Sequence, residues 1–401
     1  MGADSSKSLY LIEDLDDLES LAAELSASSR IAVDIESDSF YSYHPKICLI
    51  QISTDADNFI VDPLAIKDMS PLGPLLRDEN IEKVFHAAEY DVQCLKGEYG
   101  FEIAHLFDTM AAARLLGSKQ LGLAPIIQRY FAVTLSKKLQ RADWSRRPLS
   151  REHIEYAYRD THFLLPLRDK LHAELEERDL LQEAKEEFGR LERLEPTERI
   201  FDPDGFWRLS GARQLSPQSR AVLKELYLYR ERTAAELDRA PFRVLPEALL
   251  VRVAHLLPGD RAALEKTSGM TSYLFRNYGR DLLEAVRSGL AHSPIENPPE
   301  RKAPPQWEHD MFCRYEALRQ WRKSKAQARG VEPVVILTTE DLRGLAKAPS
   351  QGPDPQAWLC ALSERKRRLY GEEIVRLLQL PPAPSKKRKR RRRTGPPAAN
   401  Q

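Results

Sequence analysis

"IAVDIESDSF", residues 31–40, starts as an apolar strand and then sets Asp34 and Glu36 two positions apart, where a buried strand avoids charge. Residues i and i+2 of a strand share a face, so the two carboxylates project together while Ile31, Val33 and Ile35 face the other way. Neighbouring carboxylates in a partly apolar setting repel each other and are poorly solvated unless positive charge lies between them. A divalent cation supplies that charge, and an oxygen-only pair suits Mg²⁺ or Mn²⁺ rather than zinc. Taken alone, the pair reads more readily as an acidic strand end facing solvent than as a metal site.

Outward from this stretch the pattern is that of a mixed sheet. "LYLIE" (9–13) reads as a strand, and 14–27 reads as a helix with leucines at 15, 18, 21 and 25 and acids at its start. "RIAVDIE", "KICLIQIST" and "NFIVDPL" follow one another with turn residues between them, which predicts an antiparallel meander. Beyond Pro63 strand and helix alternate: "SPLGPLLRD" as helix, "KVFHA" as strand, then "AEYDVQCLKGEY" and "DTMAAARLLG" as helices. Helical pattern then dominates to about residue 195.

Two further stretches carry isolated charge. "VFHAAEYDVQCL" puts Asp91 just inside a helix that follows a strand, where it can point into a cleft or simply favour the helix dipole. "HIEYAYRDTHFLLPL" puts Tyr156 and Asp160 four apart, hence on one helical face. The alternative there is a boundary tyrosine beside an exposed acid.

Together, Asp34, Glu36, Asp91 and Asp160, with Tyr156 four residues before the last, have the order and spacing of the DEDD 3′→5′ exonucleases in their tyrosine subtype. The position where the histidine subtype carries its His is Glu155. "AVDIESDSFYSYHPKICLIQIS", "VFHAAEYD", "LFDTMAAARLLG", "LQRADWSRRPLS" and "EYAYRDTHFLLPL" resemble ribonuclease D over nearly all of residues 10–170. The resemblance implies an α/β, RNase H-like mixed-sheet exonuclease domain holding two divalent ions, Mg²⁺ or Mn²⁺, about 3.5–4 Å apart. Asp34 would bridge both ions, Glu36 and Asp160 would hold one, and Asp91 would support the other. Tyr156 would orient the nucleophile, since a phenol with a pKa near 10 is a poor free base at neutral pH. Phe40 and Tyr43, next to the first motif, are candidates to stack on terminal bases. Lys137 is a candidate phosphate contact, although it reads as well as a solvated loop lysine, and His86, near the cleft, is a candidate substrate contact, although a histidine at a strand end is more often a hydrogen-bonded packing residue.

From about residue 213 the chain reads as entirely helical and repeats itself. Without a gap, 223–286 aligns with 315–378, matching Leu226 to Leu318, Arg230 to Arg322, Ala234 to Ala326, Pro241 to Pro333 and Leu250 to Leu342, and "RNYG" (276–279) to "RLYG" (368–371). Both copies resemble the helicase-and-RNase-D C-terminal (HRDC) domain, the second more divergent. The expected layout is an exonuclease domain over 1–195, a linker over 196–212, one small all-α HRDC-like domain over 213–290, a Pro-rich linker over 291–305, a second HRDC-like domain over 306–380 and a disordered basic tail over 381–401. Basic side chains Arg230, Arg232, Arg322, Lys323 and Lys325 are candidate RNA contacts, whereas Tyr229 and Trp321 sit at core spacing.

Composition sets the limits. A chain of 401 residues has room for two or three domains, and no apolar run approaches the roughly 20 residues of a membrane span. Four scattered cysteines without a CxxC pair read as reduced thiols, so a cytoplasmic-type compartment is expected, or a nuclear one given the basic tail. The net charge of +1 hides an asymmetry: "KKRKRRRR" (386–393) holds eight basic residues, leaving 53 basic against 60 acidic side chains elsewhere, a net −7. Such a run attracts phosphate backbones without regard to sequence. The expected activity is metal-dependent 3′→5′ exoribonuclease action by a monomer on RNA with a free 3′ end, tRNA precursors foremost, with no membrane partner. A DNA exonuclease of the same superfamily and a non-catalytic RNA-binding scaffold are the alternatives.

Overall fold

A computed structural model describes residues 7–197, 200–297, 306–350 and 352–379; the basic run and residues 298–305 of the Pro-rich linker lie outside the described residues. Contacts divide the chain into two compact units, Met1–Glu300 and Arg301–Gln401.

The first unit is built on six strands: β1 (Ser8–Ile12), β2 (Arg30–Ser37), β3 (Ile47–Ser53), β4 (Asp57–Val61), β5 (Glu82–Phe85) and β6 (Leu106–Asp108), in the order β1-β4-β3-β2-β5-β6. β2, β3 and β4 form the predicted antiparallel meander, while β1 on β4, β5 on β2 and β6 on β5 run parallel. β6 is too short to show an alternating pattern in sequence and owes its conformation to pairing with β5. β3 is buried at every position, as a central strand covered on both faces must be.

Among the described residues eight helices accompany the sheet: α1 (Leu15–Leu25), α2 (Leu72–Arg77), α3 (Glu89–Tyr99), α4 (Thr109–Leu115), α5 (Leu123–Phe131), α6 (Arg151–His162), α7 (Leu164–Glu177) and α8 (Leu181–Glu192). α1 is typical: Asp14 caps it by accepting from the Asp17 N–H, and Leu18, Leu21 and Leu25 are buried on one stripe. Each such leucine contributes about 1.5–3 kcal/mol. α6 packs across β2, β3 and β4. The hydroxyls of Ser53 on β3 and Thr161 on α6 lie 2.7 Å apart, which identifies the face that α6 covers.

The same unit continues into a helical bundle of α9 (Pro217–Glu236), α10 (Pro241–Val244), α11 (Glu247–Leu256), α12 (Arg261–Glu265) and α13 (Ser272–Ala291). α13 approaches α9 closely at Gly289, where the Val222 backbone leaves no room for a Cβ. The second unit contains α14 (Gln306–Arg329), α15 (Pro333–Ile336), α16 (Thr339–Lys347), α17 (Pro355–Trp358) and α18 (Glu364–Gln379). The sequence repeat is a repeat of core positions: Leu226 and Leu318, Ala234 and Ala326, Leu245 and Leu337, Leu250 and Leu342, and Ala254 and Ala346 are all at most 2% exposed. Pro241 and Pro333 each open a short helix, where a missing N–H costs nothing.

The repeat also corrects the expected RNA contacts. Arg230 is buried and paired with Glu231 at 2.8 Å. Arg322 donates to the Leu337 carbonyl at 2.9 Å and Lys325 pairs with Glu373 at 2.7 Å. Arg230 and Arg322 serve the fold, Lys325 stands half-exposed in a surface ion pair, and Arg232 and Lys323 are exposed. Tyr229 is buried and Trp321 packs on its domain core, as expected.

Candidate active site

β2 carries Asp34 and Glu36 on the face beneath α6, where their cross-strand partners are Gln51 and Leu49. Directly after Glu36 the register slips, with Ser37 pairing to Ile47, so Cys48 is left over as a bulge. Bulges bend a strand and end its pairing. The chain then turns through residues 38–46, a loop closed by the buried Asp38, which accepts from the Lys46 N–H at 2.9 Å and the Ser42 hydroxyl at 2.7 Å.

Asp91 sits in the first turn of α3, and the approach to that helix is unusual. Ala87 takes φ 63°, a left-handed conformation uncommon for a residue with a Cβ and frequent at functional sites. The next residue, Ala88, donates its N–H to Asp108 at 2.6 Å, while the other Asp108 oxygen caps α4 through the Ala111 N–H at 2.6 Å. Asp108 thereby fixes two helix starts at once. Sequence reasoning missed it, although an Asp ahead of "TMAAARLL" is a recognisable N-cap signal.

Tyr156 and Asp160 come from α6, capped by the Ser150 hydroxyl accepting from the His153 N–H. Tyr156 rests against the fully buried Trp144, ring centroids 5.9 Å apart. The loop bearing Trp144 is pinned to the sheet by Arg147, which donates to Asp62 at 2.6 Å and to the Cys48 carbonyl at 2.9 Å.

Three separate elements thus bring four carboxylates into mutual electrostatic range. Burial, and then repulsion from Asp91, Asp160 and Glu36, holds the Asp34 carboxyl well above its usual range. Glu36 is raised by burial and then by Asp160 and Asp91. Burial and Asp108 raise Asp91, and burial takes Asp160 to about 7. Tyr156 is raised by burial and by the acids around it, which keeps it a hydrogen-bond donor at neutral pH. One Asp91 oxygen, Oδ2, is buried with no hydrogen-bond partner. The acids converge without closing a finished shell: among the described residues no group of three or more His, Cys, Asp or Glu side chains already stands as a metal site. Beside Tyr156 and Asp160 opens a cavity of about 230 Å³, lined also by Leu135, Lys138, Glu152 and Arg159.

The four candidate substrate contacts fare differently. Phe40 is exposed, with the Arg141 guanidinium 5.6 Å over its ring. Tyr43 packs instead on the core of the α9–α13 bundle, and its N–H donates to Asp238 at 3.1 Å. His86 lies 2.9 Å from the Thr109 hydroxyl and burial pushes its pKa down to about 4, so it is neutral at pH 7 and offers a phosphate no charge. Lys137 is exposed, and its neighbour Lys138 is the lysine that lines the cavity. The loop is clamped from the bundle by Arg243, which donates to the Phe40 carbonyl and lies 3.6 Å over the Tyr41 ring.

The fold and site place the chain in a defined class. Residues 10–176 match the 3′-5′ exonuclease family, and residues 219–286 and 312–378 each match the HRDC domain. The ribonuclease D of Zymomonas mobilis is 30% identical over 374 residues, covering 92% of this chain and 94% of that protein. The chain belongs to the ribonuclease D family, and the mixed-sheet exonuclease domain with all-α HRDC domains expected from the sequence is the fold observed. The structure of Escherichia coli RNase D, an exoribonuclease involved in structured RNA processing, matches with a TM-score of 0.59 and 28% identity, covering 92% of this chain and 98% of that one. The exosome complex exonuclease RRP6 of Saccharomyces cerevisiae is 32% identical over 304 residues; the match covers 72% of this chain but only 41% of the yeast protein.

Proposed function

We propose that the protein is a metal-dependent 3′→5′ exoribonuclease that releases nucleoside 5′-monophosphates from RNA with a free 3′ end, tRNA precursors foremost. The observation that carries this reading is the convergence of Asp34, Glu36, Asp91 and Asp160 from β2, α3 and α6, with the Asp91 Oδ2 buried and unpartnered. Buried carboxylate oxygens without hydrogen bonds are rare and need a compensating ligand. A donor set of oxygens alone suits a hard divalent cation, and four carboxylates supply enough charge for two.

When bound, such cations would supply charge stabilisation to both sides of an in-line phosphoryl displacement and lower the pKa of water. The residues of the chain do the rest. Asp34, Glu36, Asp91 and Asp160 would hold the cations, and Tyr156, kept protonated by its surroundings, donates a hydrogen bond that orients the attacking water. Phe40 offers an exposed ring for a terminal base, and Lys138 and Arg159 line the approach to Asp160. The unpaired thiols Cys48, Cys94, Cys313 and Cys360 favour action in a reducing, cytoplasmic-type compartment, and we take the working form to be a monomer.

Digestion of 3′-labelled RNA and matched DNA in Mg²⁺, Mn²⁺ or EDTA tests the reading, with Asp34→Asn and Asp160→Asn as controls. Mononucleotides from RNA, lost in EDTA and in both variants, are expected. Faster release from DNA would move the substrate assignment. Binding without release from either polymer would leave an RNA-binding scaffold.

A further inference from the structure

Gln51 lies in the middle of β3 at 0% exposure, and neither its Nε2 nor its Oε1 has a hydrogen-bond partner in the protein. Buried amides are nearly always bonded, because losing hydration without replacement costs free energy. The sheet register identifies its neighbours: Asp34 stands opposite on β2 and Ile60 opposite on β4. Opposed residues of an antiparallel pair send their side chains to one face with Cβ atoms about 4.5–5.5 Å apart. The amide therefore shares a face of the sheet with the Asp34 carboxylate, directly across the strand pair, with no hydrogen bond joining the two here. Ser53, two residues further along β3, meets Thr161, so this is the face covered by the helix that carries Tyr156 and Asp160. The apolar neighbours Leu49 and Ile60 offer the amide nothing, and a Met or Leu of similar volume would fill the same space without the desolvation cost.

We propose that Gln51 is a positioning residue of the active site, whose amide orients the Asp34 carboxylate for cation binding. This rests on reading the four acids as a divalent-cation site. Groups that hold a ligating carboxylate from behind are worth about 10–100-fold in metal affinity. The polar group that the fold leaves unbonded is thus assigned to the carboxylate that stands opposite it on β2.

The test compares full-length wild type with Gln51→Met, each stripped with EDTA and then titrated with Mn²⁺ by electron paramagnetic resonance. Thermal unfolding is measured without metal, and turnover of 3′-labelled RNA with it. Gln51→Met is expected to melt at or above the wild-type temperature without metal, yet to bind Mn²⁺ about 10–100-fold more weakly. Its kcat should fall while KM for RNA stays unchanged. Wild-type Mn²⁺ affinity in the variant overturns the assignment. Melting below wild type without metal overturns it too, since the amide would then serve the fold. Gln51→Leu, run in parallel, separates poor packing of the thioether from loss of the amide. A wild-type protein that binds no Mn²⁺ would refute the cation site itself, a result distinct from a wild type that binds and a variant that binds equally well.

Discussion

Replacing Asp160 with Asn should stabilise the metal-free protein at high pH while abolishing its activity. In the folded state burial raises the Asp160 carboxyl from its ordinary 3.8 to about 7. Between those values the folded chain holds a proton that the unfolded chain has lost, so stability is fully present below about pH 4 and drains away as pH rises through about 7. At about 1.4 kcal/mol per tenfold change in proton affinity, the full displacement bounds the loss at about 4 kcal/mol. Water reaches the partly exposed side chain, and the neighbouring acids share the titration, which reduces the expected figure to roughly 1–2 kcal/mol. A domain of this size converts that to a difference of about 3–6 °C in melting temperature. Thermal unfolding in EDTA at pH 5 and pH 8 reads it: wild type should lose several degrees across that interval, and Asp160→Asn should lose fewer and exceed wild type at pH 8. Mg²⁺ should restore wild type at pH 8 but not the variant. An Asn variant that melts below wild type at pH 8, or that keeps the wild-type pH slope, refutes the account of the cleft as a charge-repelling site.

Other consequences can be checked separately. Tyr156→Phe removes the donor but keeps the packing against Trp144, so kcat should fall about 10–10³-fold with Mn²⁺ affinity unchanged; a drop in affinity would make the phenol part of the cation site. Arg243→Ala unclamps the loop after β2, and should cost about 0.5–2 kcal/mol of stability and expose residues 38–46 to proteolysis while Mn²⁺ binding is retained. An unaltered cleavage pattern would show that the loop holds itself. Deleting residues 386–401 should weaken RNA binding at low salt and flatten its salt dependence by about 0.7 for each phosphate that the tail neutralises, with mononucleotide release intact; an unchanged slope would remove the tail from RNA binding.

The clamp bears on how the two parts of the first unit cooperate. Tyr43 and His44 donate their N–H groups to Asp238, and the Ala240 N–H donates to the Tyr41 carbonyl. The loop that leaves the catalytic strand is therefore held by the turn between α9 and α10, so the bundle can fix the position of Phe40 without supplying a catalytic group.

Some of this was readable in the chain because the rule involved is local. Side chains repeat every two residues on a strand and every 3.6 on a helix, so Asp34 and Glu36 had to share a face, as did Tyr156 and Asp160. The same periodicities gave the meander, and the ungapped alignment of Leu226 with Leu318 and Ala254 with Ala346 already identified two copies of one core. What only the tertiary structure decided is who stands next to whom. Asp91 reaches the other acids because β5 pairs parallel to β2 and delivers α3 to the same cleft. Tyr43 turned from a base-stacking candidate into a docking residue, His86 became a neutral partner of Thr109, and Asp108 and Gln51 acquired roles that their neighbours in sequence do not announce. Burial and hydrogen-bond partners are set by segments distant in the chain, and a residue's charge and usefulness follow from those partners rather than from its own position.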